Sequence, residues 1–571
     1  MKMFCTDFET VTTEPTWVWA WSKVDIYNTD NFEYGNNIDS FMENVSHETS
    51  ICYFRNLKFD GEFIIIWLFE HGYTWTSEKR MGAKQFKTLI SDKGQFYSIT
   101  VKTETNKVVE FRDSLKVIPL SIEETAKAFG LEETKLKIDY HKYRPPGYEL
   151  EPDEIEYIKN DVMIDAKALR YFFDQDLKKL TIGSDAMQFF HTILPKKQFQ
   201  RTYPTLSFEV DQWIRKTYKG GYVYCNPVHQ GKIVENGIVA DINSHFPYQL
   251  RNQKLPYGIP VYFKGKISEK ALKTHPLYVA HIRCMFYLKK GKLPTIQVKN
   301  SIYFKETEYL EDSDGEIIDL YLTNLDLELF LEHYETYNLE YIDGYCFRAC
   351  KSESLAKYID YWMEVKEQAT REGNKGLRTL AKLMLNNIYG KFGLNPRVAN
   401  KIPRYENGMI KYCLSEEEIR DSVYIPVATF VTAYARCYTI RCSQKVRDYS
   451  IEKYGIDMYL YSDTDSIHTL LPEEDFRELF SCDPYELGKW DIESHFIKGK
   501  FLRSKCYLEI VYDEKGVKWK PTIAGMPKKM HRLVSLTNME RGRVFYMADG
   551  KKRFKHVVGG VILQDVSFSI K

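Results

Sequence analysis

The chain has 571 residues, 44% hydrophobic and 28% charged, a balance that excludes wholesale disorder and leaves room for several cores. Its longest apolar run, Phe63 to Phe69, is seven residues, against about 20 for a membrane span, and Asp7 and Glu9 stand where a secretory leader needs apolar residues. The net charge of +1 divides into +6 over residues 351–450, +7 over 526–571 and hence −12 elsewhere, which predicts a polyanion gripped at particular places.

Residues 1 to about 180 alternate strand and helix patterns. FCTDF, TWVWAWSKVDIY and ICYF read as strands, and FYSITVKT with KVVEFRDS as a strand pair. GEFIIIWLFEHG reads as a buried helix ending near Gly72. Pro152 and Asp153 open a helix through PDEIEYIKNDVMIDAKALRYFFDQD. Beyond 182 the pattern changes. GIVADINSHFPY is a strand running into a turn. NKGLRTLAKLMLNNIYGKFG is a helix stopped by Gly393 and Pro396. MYLYSDTDSIHTLL is a strand, a polar turn and a strand. Stretches 253–350 and 395–421, rich in Tyr, Gly and turn residues, read as insertions. Eleven scattered cysteines with no C-x-x-C predict reduced thiols rather than disulfides or a zinc site.

Two sets of acids carry the chemistry. Asp7 and Glu9 alternate on one strand and share a face. Asn56/Asp60 has i, i+4 spacing, and Tyr157/Asp161 has the same spacing on a helix, which makes those side chains neighbours. If Asp7, Glu9, Asp60 and Asp161 converge, their repulsion calls for cations between them. Oxygen-only ligands suit Mg²⁺ or Mn²⁺, and two such ions activate a water against a phosphodiester, with Tyr157 able to orient that water. The second set is Asp463 and Asp465 in a hairpin turn, with Asp241 at the end of another apolar strand. If those strands are adjacent, they form a second divalent-metal site. Lys382, Asn386 and Tyr389 lie on one helix face, with Arg378 one turn away. A Lys aimed at phosphates beside a Tyr that stacks on a base suits a nucleotide.

In this order the motifs resemble family-B DNA polymerases, specifically the protein-primed enzymes of small bacteriophages with linear double-stranded genomes. Asp7/Glu9, Asn56/Asp60 and Tyr157/Asp161 look like the three exonuclease motifs. Asp241-x-x-Ser244 with Pro247, Lys382-x-x-x-Asn386-Asn387-x-Tyr389-Gly390 and Tyr461-x-Asp463-Thr-Asp465-Ser466 look like polymerase motifs A, B and C. The resemblance implies roles for further residues. Lys135 would be an accessory exonuclease residue, with Tyr140. Thr10, Asn56, Phe59, Ser114 and Leu115 would contact single strands or the priming protein. Tyr218, Gly220 and Gly221 would form the linker between the two activities, Thr432 and Arg436 the template motif, and Lys505 with Tyr507 the primer-terminus motif. Phe246, Lys366, Arg378, Lys382 and Tyr389 would bind the nucleotide. Four positions depart from the family pattern: His245-Phe246 replaces a common Leu-Tyr, Asn387 a common Ser, and Arg55 precedes Asn56 where a His or aromatic is usual.

The implied fold is an α/β and α+β multidomain chain. An RNase H-like 3′–5′ exonuclease domain spans 1–181. A right-hand polymerase follows, with palm at 182–252 and 422–525, fingers at 351–394 and thumb at 526–571. Terminal-protein regions would occupy 253–350 and 395–421. The implied activity is DNA-directed DNA synthesis with protein-primed initiation, strand displacement and proofreading, using two Mg²⁺ per site with Mn²⁺ able to substitute. The implied partners are template, primer, dNTPs and a terminal protein. The chain would be a monomer, paired with that protein at initiation, in the cytoplasm of an infected bacterium. The alternative is a nucleic-acid-primed family-B polymerase of repair or a mobile element.

Overall fold

In the computed structural model, which describes residues 1–140, 142–297, 309–513 and 516–571, strand Lys2–Thr10 runs through the middle of an eight-stranded sheet. It pairs antiparallel with Val18–Asp25 and parallel with Ser50–Phe54, which pairs parallel with Val108–Asp113. Both faces are covered, so residues from both faces of the strand, Phe4, Cys5, Thr6, Phe8 and Glu9, are buried. Alternation sends Phe4 and Phe8 to the core under helix Leu57–Glu70. It sends Cys5, Asp7 and Glu9 to the other face, where Cys5 packs with Val162 and Leu169 of helix Pro152–Asp174. That helix starts where Pro152 predicts, on a capping box between Glu151 and Glu154.

Helix Leu57–Glu70 begins four residues before the expected Gly61, because Asn56 takes a left-handed turn (φ 69°) directly out of its strand. It is apolar all round because it is covered all round. One side meets the sheet. The other meets two hairpins from the distant C-terminal half. In the hairpin Lys401–Glu406/Met409–Leu414, turned by Asn407 and Gly408 at positive φ, Tyr412 donates to Glu62 at 2.9 Å and Tyr405 to Glu70 at 2.6 Å. In the hairpin Lys551–Val557/Gly560–Val566, Val561 joins the core of the N-terminal sheet and Phe554 meets Phe59. A Cβ on Gly559, at that hairpin's tip, would sit 2.2 Å from the Thr16 carbonyl, so only glycine allows this approach. Gly559 N–H donates to the Gly408 carbonyl at 3.1 Å. The two hairpins therefore clasp each other as well as the N-terminal unit.

The C-terminal half is built on a seven-stranded antiparallel sheet. Its order is Gly516–Ile523, Cys506–Asp513, Trp490–Arg503, Ile233–Ile242, Ser466–Thr469, Tyr459–Asp463, Val223–Cys225. Helix Ile425–Tyr454 packs on one face through Ile440 and Val446. Helices Glu353–Arg371 and Lys375–Phe392 pair with each other. Residues 182–222, expected with the sheet, are largely helical: Ile182, Ala186 and Phe190 share a core with Leu385, Ile388 and Phe392. Within 253–350, strands Leu255–Lys264, Tyr334–Cys350, Leu277–Leu288 and Ile318–Thr323 form a separate sheet. Positions 298–308 of that expected insertion lie outside the described residues. Among the described residues no helix is long and apolar enough to cross a membrane, and all eleven cysteines are free.

Candidate active sites

Strand pairing decides the first site. Asp241 lies opposite Ser466 on one side, and Asp463 opposite Ser466 on the other. Two main-chain bonds pin the turn between: Ile242 N–H donates to the Asp465 carbonyl at 2.8 Å, and Thr464 N–H to the Tyr222 carbonyl at 2.7 Å. Asp241, Asp463 and Asp465 thus gather at one end of the sheet. Burial, then the charges of Asp465 and Glu493, push the Asp241 carboxyl up to about 8, against Lys382. Burial also lifts Asp465, to about 6, with Asp463 and Glu493 adding to it and Lys505 opposing. Lys505 Nζ grips both Asp463 oxygens, at 2.8 and 2.6 Å. Tyr507 packs against Tyr461 behind it.

Glu493 was not legible in the sequence. Strand Trp490–Arg503 pairs Ser494 with Val239 but Ile492 with Ala240, so Glu493 is the extra residue of a β-bulge. A bulge re-aims a side chain, here toward Asp241 and Asp465. Only the register reveals it.

Facing the acids, the Phe246 and Tyr389 rings stand 4.5 Å apart. Burial, then repulsion from Arg378 and Lys382, lowers the Lys366 ammonium, so the three cations share one patch. Gly221 backs the turn that carries the acids. A Cβ on Gly221 would meet the Thr464 side chain at 2.6 to 2.9 Å, inside the pinned turn. Gly221→Ala should therefore slow primer extension roughly 10²-fold, the cost of a displacement near 1 Å. Single-strand digestion should be unchanged, as gel assays of both activities would show.

Two expected nucleic-acid contacts need correction. Arg436 and Thr432 are each only 2% exposed. Arg436 is fixed by Asp326 at 2.7 Å and donates to the Gly220 carbonyl at 2.6 Å, while Thr432 donates to Ala428 and Thr429 carbonyls. A charge buried this way is spent on its partners. These side chains hold the linker and do not face a template. Tyr218 is partly exposed and lies against Gly393.

The second site lies on the N-terminal sheet. Glu9, Asp60 and Asp161 are buried and Asp7 is half-buried. Burial, then the charge of Asp161, pushes Asp7 up to about 7, opposed by Lys135. Burial and Asp7 raise both Glu9 and Asp60. Burial raises Asp161, although Lys135 sits 3.3 Å from its Oδ2. The four acids therefore converge. One oxygen each of Asp60 and Asp161 is buried with no hydrogen-bond partner. The Tyr157 hydroxyl shares a 2.7 Å hydrogen bond with that of Tyr140, and burial keeps Tyr157 protonated. At the rim, Thr10 ends its strand beside a bulge, and Phe59 and Asn56 are partly exposed. Ser114 is fully buried, which corrects its expected contact with DNA. The Asp113 carboxylate ties this turn to Asn56, accepting from the main-chain N–H of Asn56 and of Leu115, and Leu115 is the partly exposed member. Among the described residues no three His, Cys, Asp or Glu side chains already stand as a metal-holding group.

Comparison with known proteins fits this geometry. A family model described as DNA polymerase type B, organellar and viral, matches residues 42–145 and 135–471. The DNA polymerase of Bacillus phage Nf is 40% identical over 595 residues, covering 100% of both chains. The chain belongs to the type-B DNA polymerases. The DNA polymerase of Streptococcus phage Cp-1 is 32% identical, over 99% of the present polymerase and 98% of its own length. The structure of phi29 DNA polymerase with primer-template DNA superposes with a TM-score of 0.91 at 38% identity, covering 100% of each chain. The ternary complex with incoming nucleotides gives 0.90 at 39%. The present polymerase is accordingly a multidomain α/β protein with exonuclease and polymerase domains.

Proposed function

We propose that this polymerase copies a linear phage genome from a protein primer, displaces the non-template strand and proofreads by 3′–5′ digestion. The observation that carries the reading is the convergence of Asp241, Asp463 and Asp465, with Lys382 beside Asp241 and Tyr389 on Phe246. The domains would be exonuclease 1–181, palm 182–252 and 422–525, fingers 351–394, thumb 526–571, and terminal-protein regions 253–350 and 395–421. The two clasped hairpins suit a closed ring around DNA.

The donor sets fit Mg²⁺, with Mn²⁺ able to substitute, because every donor is a carboxylate oxygen. Asp7, Glu9, Asp60 and Asp161 would hold ions in the exonuclease, where two oxygens lack partners. Asp241 and Asp465 would hold them in the polymerase. Mg²⁺ usually takes one or two carboxylates and completes its shell with water and substrate phosphates, so a two-acid site needs no prebuilt cage. When bound, paired ions acidify the attacking hydroxyl or water and stabilise the leaving oxygen.

The side chains do the rest. Lys366, Arg378 and Lys382 neutralise the triphosphate. Phe246 and Tyr389 sandwich the incoming nucleotide, and the Phe246 ring excludes a ribose 2′-hydroxyl. Lys505, held by Asp463, meets the primer terminus, with Tyr507 behind it. Any hydroxyl reaching Asp241 and Asp465 is chemically equivalent, so a terminal-protein side chain and a 3′-OH use one site. Lys135 screens Asp161, Tyr157 orients the hydrolytic water with Tyr140, and Thr10, Asn56, Phe59 and Leu115 hold the frayed strand. The polymerase would act as a monomer, joined by the terminal protein at initiation, in the cytoplasm of the infected bacterium.

Extension of a primer on a long single-stranded circle, with Mg²⁺ and no accessory protein, tests the reading. Products many times the template length are expected. Extension that stops at duplex would remove strand displacement.

The raised acids predict a pH effect on stability. A carboxyl with a folded pKa above its unfolded value stabilises the fold at low pH, and that contribution is lost as pH rises through the folded pKa. With Asp465 near 6, Asp7 near 7 and Asp241 near 8, the metal-free polymerase should lose stability from pH 4 toward pH 8 at these sites. Mg²⁺ requires the ionised acids, so the rise in melting temperature it gives should be larger at pH 8 than at pH 6. Thermal melts with EDTA or Mg²⁺ check this.

A further inference from the structure

Arg55 immediately precedes Asn56, where the family usually has a His or an aromatic toward a single strand. Here its guanidinium turns inward. Nη1 donates to the Ile118 carbonyl at 2.7 Å, Nη2 to Thr125 Oγ1 at 3.0 Å, and Nη2 lies 2.8 Å from Asp165 Oδ1. The Arg55 and Asp165 side chains are only 10% and 5% exposed.

The Asp165 and Ile118 contacts lie on or beside segments that bear exonuclease residues. Arg55 stands one residue before Asn56, the left-handed cap of helix Leu57–Glu70, which carries Asp60. Asp165 is one turn beyond Asp161 on helix Pro152–Asp174. Ile118 closely follows Ser114 and Leu115, and Thr125 lies on helix Ile122–Phe129. One fork thus ties the Asp60 helix to the Asp161 helix. Charge at this pair reaches the acids: Asp165 raises both Asp7 and Asp161, while Arg55 lowers Asp161. A buried Asp beside four crowded acids is tolerable only with a cation on it.

We propose that Arg55 and Asp165 are a positioning pair for 3′–5′ digestion: they hold the Asp60 and Asp161 helices in register, and neither touches DNA. This rests on the exonuclease reading above.

The test measures digestion of a single-stranded oligonucleotide by the full chain, against substrate and salt concentration. The variants are Asp165→Asn, and Arg55→Met combined with Asp165→Leu, which leaves no unpaired buried charge. Primer extension reports folding. The expected result is a kcat for digestion about 10-fold lower or more in both variants. KM, the salt slope and the extension rate should stay as in the unmodified chain. A raised KM in the double variant, with the salt slope reduced by about 0.7, would make Arg55 a phosphate contact and overturn the proposal. An unchanged kcat would also overturn it. Asp7→Ala run in parallel separates the two ideas. If digestion survives Asp7→Ala, the exonuclease reading fails. If digestion is lost there but intact in both pair variants, only the positioning pair fails.

Discussion

Asp465→Asn should reduce nucleotide incorporation by about 10³-fold or more and leave 3′–5′ digestion at its original rate. The change is isosteric, and the bond that joins the turn to Asp241's strand runs to the main chain of residue 465, from Ile242 N–H. The turn therefore keeps its place, and only a charge is lost. That charge faces Asp241 across the sheet, where it contributes to the raised Asp241 carboxyl. The metal-free variant should melt no earlier than the unmodified chain, since a repulsion has been removed. Lost incorporation with an unchanged melt places the defect in chemistry rather than folding. Digestion is spared because Asp7 and Glu9 stand on the N-terminal sheet and Asp60 and Asp161 on the two helices that flank it, apart from the sheet that carries Asp465. Loss of both activities would sink the two-site picture.

What the sequence made legible was local. The Asp7-x-Glu9 alternation gives a shared face whatever the strand pairs with. The spacing Tyr157/Asp161 gives helix neighbours. The Asp463–Asp465 turn needs only two apolar flanks. Each depends on a backbone period, and the structure keeps all three. What stayed hidden depended on distant partners. Glu493 reaches its site through a bulge, which exists only relative to strand Ile233–Ile242. Arg436 carries a motif that suggests a template contact, yet Asp326, 110 residues away in sequence, draws it inward. Arg55 is diverted in the same way by Asp165. The apolar helix Leu57–Glu70 announced its burial, but not that two hairpins from the C-terminal half of the chain supply part of it. Motifs name residue types at spacings; the direction of a side chain is set by packing that no local pattern encodes.

Asp7→Ala should abolish digestion, with about a 10³-fold loss or more, and leave extension from a paired primer unchanged. The Asp7 charge reaches two others of its set: it raises both Glu9 and Asp60. Its removal relieves that crowding, so the N-terminal sheet should not unfold. The variant also separates two ways of discriminating against a mispaired primer end. Slow addition at the polymerase site would depend on Phe246, Tyr389 and the cation patch, which Asp7 does not touch. Removal at the exonuclease would depend on a frayed end reaching Asp7 and Asp161. With digestion gone, a mispaired end can only be extended slowly or left. Extension products from a mismatched primer should therefore retain the mismatch in the variant and lose it in the unmodified chain. If the variant still corrects the mismatch, correction does not pass through these acids. If neither chain corrects it, single strands are digested at the N-terminal site but primer ends do not travel there, and the clasped hairpins around helix Leu57–Glu70 become the barrier to examine.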